Sequence, residues 1–268
     1  MRVGGHSNSF HTASAEEAWA GIAGSGFTTV ELTAVLGWTE HVDLDAPPAA
    51  TFDRLAHYGL TATVLSAHSD LTTDDGVEYA LKAIRWCADN GMSVMSTAIG
   101  GHSSQEENES AFLAGIGRIA AAADDAGIDV ALEIHGDIMA TGALTVPLLE
   151  RIGSPRIKVA YDTANCEFYG DTAAVDDLAT VLPHLANVHL KDKRGGKGVW
   201  DFPEPGAGHV DFTGILAILR KGGRRQKERR QRGSYQSSHV STPLDNAQKK
   251  TSAREVRRVK APADGPVP

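Results

Sequence analysis

The stretch Asn187-Val188-His189-Leu190-Lys191-Asp192 alternates polar and apolar side chains, then breaks into Lys193-Arg194-Gly195-Gly196. That pattern is a short buried strand whose C-terminal end carries a histidine, a lysine and an aspartate into a loop. Two earlier stretches end in the same manner. Val130-Ala131-Leu132-Glu133-Ile134-His135 runs into Gly136-Asp137, and Ile157-Lys158-Val159-Ala160-Tyr161-Asp162 runs into Thr163-Ala164-Asn165. Glu133, Asp162 and His189 therefore stand at the C-terminal ends of three successive strands. Two carboxylates and an imidazole placed in that way can converge on one divalent cation.

The rest of the chain supplies the frame. Strands are expected near residues 2–6, 27–32, 60–66, 92–98, 129–135, 157–162 and 186–191. Helices are expected over Ser14–Ala23, Pro48–His57, Gly76–Asn90, Glu106–Ala126, Leu144–Ile152 and Thr172–Leu182. Ser14 followed by Glu16 and Glu17 marks a capped helix start. Gly59, Gly91 and Gly127 each stand between a helix and a strand, where a left-handed cap is wanted. Strict alternation of strand and helix gives a parallel sheet with right-handed crossovers. Seven such units, with the chemically interesting residues at strand ends, predict an α/β fold of the (β/α)8 TIM-barrel type. A doubly wound open sheet is the competitor, but Gly4-Gly5-His6-Ser7-Asn8 is not the glycine-rich phosphate turn that opens one.

The pattern stops before an eighth strand. Pro205-Gly206-Ala207-Gly208-His209-Val210-Asp211-Phe212 leads into the apolar Ile215–Leu219, which reads as a helix. Next comes Arg220-Lys221-Gly222-Gly223-Arg224-Arg225, then a Ser-, Gln-, Lys- and Arg-rich run that cannot fill a barrel interior. The net charge of −8 splits at the same place: residues 1–219 hold 12 Lys and Arg against 30 Asp and Glu, residues 220–268 hold 14 against 4. The expectation is an incomplete barrel over 1–219 and a basic tail over 220–268, disordered or out of frame.

Composition removes other classes. No run approaches the roughly 18–20 apolar residues that span a bilayer, and Met1-Arg2-Val3-Gly4-Gly5-His6 lacks a signal segment, so a cytoplasmic setting without membrane contact is expected. Cys87 and Cys166 are too few for a disulfide framework, and Cys87 reads as a small core residue. The acidic body argues against gripping nucleic acid, for which the basic tail is the one feature in favour. An unclosed barrel leaves sheet edges that favour self-association into a homo-oligomer.

Around the three strand ends lie further candidates. His135 follows Glu133 by two residues, so both face the barrel mouth, where His135 can orient Glu133, bind substrate or stay solvated. Lys191 stands likewise to His189; an inward lysine needs an anion, either a substrate oxygen or Asp162, Asp192 or Glu133. Asn165 can donate to substrate or cap a turn. His6, Glu31 and His68 end the first three strands and with Asp192 can complete a polar ring, though each reads equally as a wall residue. His11, His41, His57, His102, His184 and His209 fall in loops or on helix faces and read as solvated. Trp38 is a loop tryptophan that either stacks on a sugar or packs. Hard cations such as Mg2+ suit the carboxylates, while one imidazole shifts preference toward Mn2+, Co2+, Fe2+ or Zn2+.

Glu133-Ile134-His135-Gly136, Asp162-Thr163-Ala164-Asn165, Val188-His189-Leu190-Lys191-Asp192 and the Pro205–Phe212 run, in that order, resemble the sugar phosphate isomerase/epimerase family. Its members have a xylose isomerase-like TIM barrel and include ketose 3-epimerases, inosose isomerases and dehydratases, and hydroxypyruvate isomerases. The resemblance covers residues 1–219. It implies a metal site of Glu133, Asp162 and His189, with Mn2+ the leading expectation, and a fourth family ligand, a glutamate after strand eight, that has no counterpart here. It also implies proton transfer next to the carbonyl of a small sugar through an enediolate, with Glu133 as acid/base and His135 and Lys191 assisting. Asn165 stands where some members have a histidine. An inosose dehydratase-type lyase, an inactive or partner-dependent sugar-binding barrel, and an endonuclease IV-like repair enzyme are the other readings.

Overall fold

Residues 2–100 and 106–223 are described by a computed structural model, and seven of its strands form one parallel sheet. The strands are β1 (Gly5–His6), β2 (Thr29–Val35), β4 (Thr61–Ser66), β5 (Val94–Thr97), β6 (Asp129–Glu133), β7 (Ile157–Asp162) and β8 (Leu185–His189). They lie side by side in chain order, so each crossover advances the sheet by one strand. This is the α/β open barrel expected from the alternation: among the described residues there is no eighth parallel strand. A short β3 (Thr39–Glu40) turns back antiparallel on the end of β2. It escaped the sequence pattern because two residues carry no periodicity.

The helices are α1 (Ala15–Gly24), α2 (Ala49–His57), α3 (Asp74–Asp89), α4 (Glu106–Ala126), α5 (Gly142–Ile152), α6 (Asn165–Gly170), α7 (Ala174–Val181) and α8 (residues 212–223). Their ends follow local chemistry. Ser14 caps α1 and Glu17 returns the bond to the Ser14 N–H, a reciprocal capping box. Thr73 accepts from the Gly76 N–H, so α3 starts two residues before its apolar pattern does. Gly59, Gly91 and Gly127 have φ of 67°, 68° and 70°, the left-handed cap read from their positions. Helix α8 runs past Leu219 to residue 223, because Ile215 is fully buried and Gly222 lies against Leu182. The basic tail from residue 224 onward, and His102, lie outside the described residues. No helix among the described residues is long and apolar enough to cross a membrane.

A continuous core lies between sheet and helices. Leu32, Leu65, Met95, Val130, Leu132 and Val159 from the strands meet Ile22, Leu55, Ile84, Ile116, Ile119 and Leu178 from the helices. Cys87 belongs to this core, and burial pushes its thiol up to about 12, as expected of a packing residue. His41 corrects its solvated reading. It is buried, and its Nε2 lies 3.0 Å from the carbonyl of Ala13, which ties the turn after β3 to the start of α1.

Strand register sets the height of every polar end. Asp162 pairs with His189, Glu133 with Ala160, and His6 with Glu31. All these residues therefore emerge at the C-terminal rim of the sheet.

Candidate active site

Glu133, Asp162 and His189 meet at that rim, with one ligand atom from each within 4.8 Å of the others. The start of α6 fixes Asp162. Its Oδ1 accepts the N–H groups of Ala164 and Asn165 at 2.8 and 2.9 Å, which leaves Oδ2 turned to the Lys191 ammonium at 3.8 Å. Glu133 is held on both oxygens. His68 Nε2 lies 3.0 Å from Oε2, and Asn165 Nδ2 donates to Oε1 at 3.2 Å. His189 sits between two carboxylates, with Nδ1 3.6 Å from Glu133 Oε1 and Nε2 3.1 Å from Glu31 Oε1.

Burial alone would neutralise these groups, and their neighbours decide otherwise. For Glu31 burial works upward but is outweighed by His189, His6 and hydrogen bonds from His189 and Asn187, so the carboxyl falls to about 2. In Glu133 burial is likewise overcome by His189 and His68, and its pKa lies well below the usual carboxylate range. The desolvated His189 is pushed well above its ordinary value by Glu31 and Glu133. Asp162 is raised, because burial and the adjacent Glu133 outweigh Lys191 and His189. His6 is lowered to about 4 by burial and stays neutral at pH 7. Held between Glu31 and Glu133, the His189 imidazole fills the place of a counter-ion among these carboxylates.

Two carboxylates with lone pairs to spare and one imidazole, buried together, suit a divalent metal. The donor chemistry fits. A second trio, His6, Glu31 and His189, also brings its atoms within 4.8 Å. There, however, the His6 and His189 rings are stacked, 4.9 Å between centroids and 29° apart, so their in-plane lone pairs run side by side instead of converging.

Most other candidates gather here too. His6, Glu31 and His68 join the cluster through the contacts already given. Asn165 links Glu133 to Lys191, whose Nζ donates to Asn165 Oδ1 at 3.0 Å and lies 3.8 Å above the Phe202 ring. Two candidates have further partners of their own. His135 meets Tyr169, its Nε2 3.1 Å from the phenol oxygen, while His68 and Asn165 hold Glu133. Asp192 is tied to the loop backbone. Its buried carboxylate accepts the N–H groups of Lys193, Gly206, Gly208 and Val210 at 2.7–3.1 Å, and hydrogen-bonding of the charged form draws it down to about 2. Gly208 is glycine for this reason: a Cβ there would collide with Asp192 Oδ1.

Sequence reasoning missed Asn187, Thr163 and the aromatic group Phe168, Tyr169, Trp200 and Phe202. Asn187 donates to Glu31 Oε2 at 2.7 Å, and Thr163 Oγ1 takes the Lys191 N–H at 2.9 Å. Period-two spacing from His189 could have found Asn187. Trp38 is 60 % exposed, stacks on His11 and donates from Nε1 to Asn8.

Fold and site together define a barrel that gathers acidic and imidazole side chains at the C-terminal ends of its strands. The model of the xylose isomerase-like TIM barrel family matches residues 19–225, and the chain belongs to that family. It is 27 % identical to the L-ribulose 3-epimerase of Methylomonas sp. (strain DH-1) over 249 residues, 82 % of this chain and 80 % of that protein. A solved L-ribulose 3-epimerase superposes with a TM-score of 0.66 at 21 % identity, covering 83 % of this chain and 78 % of that one. A xylose isomerase-like TIM barrel protein from Mycobacterium smegmatis in complex with magnesium gives 0.67 at 14 % identity, covering 83 % and 87 %. Both likenesses are of fold.

Proposed function

We propose that this chain is a divalent-metal-dependent isomerase that epimerises a small ketose by moving a proton on the carbon beside its carbonyl. The observation that carries the proposal is the convergence of Glu133, Asp162 and His189, with Glu133 held on both oxygens. The 27 % identity to an L-ribulose 3-epimerase supports the substrate class. A metal held by these three residues, with Mn2+ or Co2+ favoured by the mixed donor set, supplies Lewis-acid stabilisation of negative charge on the sugar oxygens.

The chain's own groups do the rest. Glu133, kept ionised by His189 and His68, is the base that takes the proton. His68 and Asn165 fix its direction. Lys191, on the Phe202 face and bonded to Asn165, offers its remaining N–H donors to a substrate oxygen. His6 and Glu31 wall the opposite side of the mouth. Residues 1–219 carry the site, and a cytoplasmic setting suits a sugar isomerase.

Deuterium exchange tests the proposal. With Mn2+ or Co2+ in D2O, a panel of ketopentoses and ketohexoses should include one that gains a single deuteron on the carbon next to its carbonyl, and Glu133→Gln should abolish the gain. Sugar binding without any exchange would sink the proposal in favour of a sugar-binding barrel. That second reading has one observation behind it: the described residues supply three family ligands and not the glutamate after an eighth strand.

A further inference from the structure

We infer that Glu31, on β2, is the positioning residue that aims His189 at the metal, and the latch that joins the two ends of the open sheet. The inference rests on the metal reading of Glu133, Asp162 and His189 under the proposed function. Glu31 and His189 are 158 residues apart in sequence and belong to the second and the last strands of the described sheet. No backbone ladder connects β8 to β1 or β2 among the described residues. Side chains make the connection. His189 Nε2 lies 3.1 and 3.2 Å from the two oxygens of Glu31, and Asn187 Nδ2 donates to Oε2 at 2.7 Å.

The chemistry of that contact has a direction. His189 Nε2 also lies 3.2 Å from Asn187 Nδ2, but that amide donates to Glu31 Oε2 at the shorter 2.7 Å, and the two carboxylate oxygens facing the imidazole only accept, so this His189 nitrogen carries a hydrogen. The nitrogen left to bind a cation is Nδ1, and Nδ1 is the one turned toward Glu133. A ligating histidine whose other N–H is held by a carboxylate is fixed in ring orientation and made a better donor. Glu31 suits that role. It is 7 % exposed, its oxygens are already taken by β8, and no lysine or arginine pairs with it among the described residues. A neutral imidazole has one lone pair, so the His6–Glu31–His189 trio and the Glu133–Asp162–His189 trio cannot both hold an ion.

The test is Co2+ titration of the purified 268-residue chain, comparing wild type with Glu31→Gln, Glu31→Ala and Asp162→Asn. Far-UV circular dichroism of each metal-free protein checks folding. Glu31→Gln keeps the shape and a neutral acceptor, and should weaken Co2+ binding about 10-fold; Glu31→Ala should weaken it about 100-fold. A purely structural latch would lower the melting temperature and leave the affinity of the folded protein alone. In the Zn2+-loaded, 15N-histidine-labelled wild type, His189 should show a metal-bound Nδ1 and a protonated Nε2. Metal on Nε2, or wild-type affinity in both Glu31 variants while Asp162→Asn loses binding, overturns the inference and leaves the metal site standing. Absence of Co2+ binding in the wild type overturns the metal reading, and the inference falls with it.

Discussion

Two groups of buried charge lie within a few residues of one another and are satisfied in opposite ways. In the loop after β8, Asp192 takes four backbone N–H groups, and the fully buried Lys193 gives its Nζ hydrogens to the carbonyls of Arg194 and Gly195 at 2.5 and 2.9 Å. Both charges are closed off by the chain's own backbone. At the strand ends, Glu31, Glu133, Asp162, His189 and Lys191 are balanced chiefly by each other, and several oxygens and one imidazole nitrogen still point into shared space. A buried charge with all its bonds made to backbone serves the fold. One held in place by a few bonds, with donor capacity left over, is a site. Adjacent residues, Lys191 and Asp192, fall on the two sides of that line.

Removing one member from each group should break different things. His189→Ala or Asp162→Asn should cost about 1,000-fold or more in turnover, consistent with loss of an essential electrostatic element. It should also remove the metal response in a thermal melt. Wild type at 100 times its metal Kd gains about 2.7 kcal/mol, a rise that grows with the logarithm of concentration. Asp192→Ala should act in reverse. Four backbone N–H groups lose their acceptor, and a loss of about 3 kcal/mol in folding stability is expected. Co2+ affinity of the remaining folded protein should stay within about 3-fold, a bound that follows from the separate siting of the two groups. A metal response lost in Asp192→Ala and kept in Asp162→Asn would erase the distinction.

The distinction was only half legible in the sequence. A charged residue closing an apolar strand is anomalous enough to be noticed, and register does the rest, so the gathering of Glu133, Asp162 and His189 could be read from three strand ends. The backbone cradle of Asp192 lies beyond the reach of that reading, because the strand ends at His189 and alternation no longer fixes which way a later side chain faces. The link from Glu31 to His189 is invisible for another reason: it joins the second strand to the last across the opening of the sheet, and pattern reading sees only local order. The six-residue α6 and the two-residue β3 were too short to show a period. The helix cap that Asp162 provides to α6 was hidden with it.

Acid should sharpen the contrast in the wild-type protein. Asp192 has a folded-state pKa of about 2, against about 3.9 for an unfolded aspartate. A depressed carboxyl contributes stability that is fully present above its unfolded value and is lost as pH falls through its folded value. The Asp192 contribution should therefore hold above about pH 4 and fade between there and about 2. Urea unfolding of wild type and Asp192→Asn across that range should show the two curves converging as pH drops. Parallel curves would mean that the four N–H bonds do not favour the ionised form.

The smallest effect concerns the rim where loop and site meet. Trp200 is 71 % exposed and stands edge-on to Phe168 and Phe202, while Phe202 lies beneath Lys191. So exposed a ring contributes little to the core, and Trp200→Ala should change folding stability by no more than about 0.5 kcal/mol. An aromatic face beside the ammonium that we propose binds sugar is a natural wall for the sugar's C–H side. A stacked ring is worth about 0.5–1.5 kcal/mol, so KM should rise by about 2- to 12-fold with kcat kept. A fall in stability with KM unmoved would assign the aromatic group to the closed loop, on the same side of the line as Asp192. A rise in KM alone would extend the open site outward, from the strand ends to the loop that Asp192 and Lys193 hold in place.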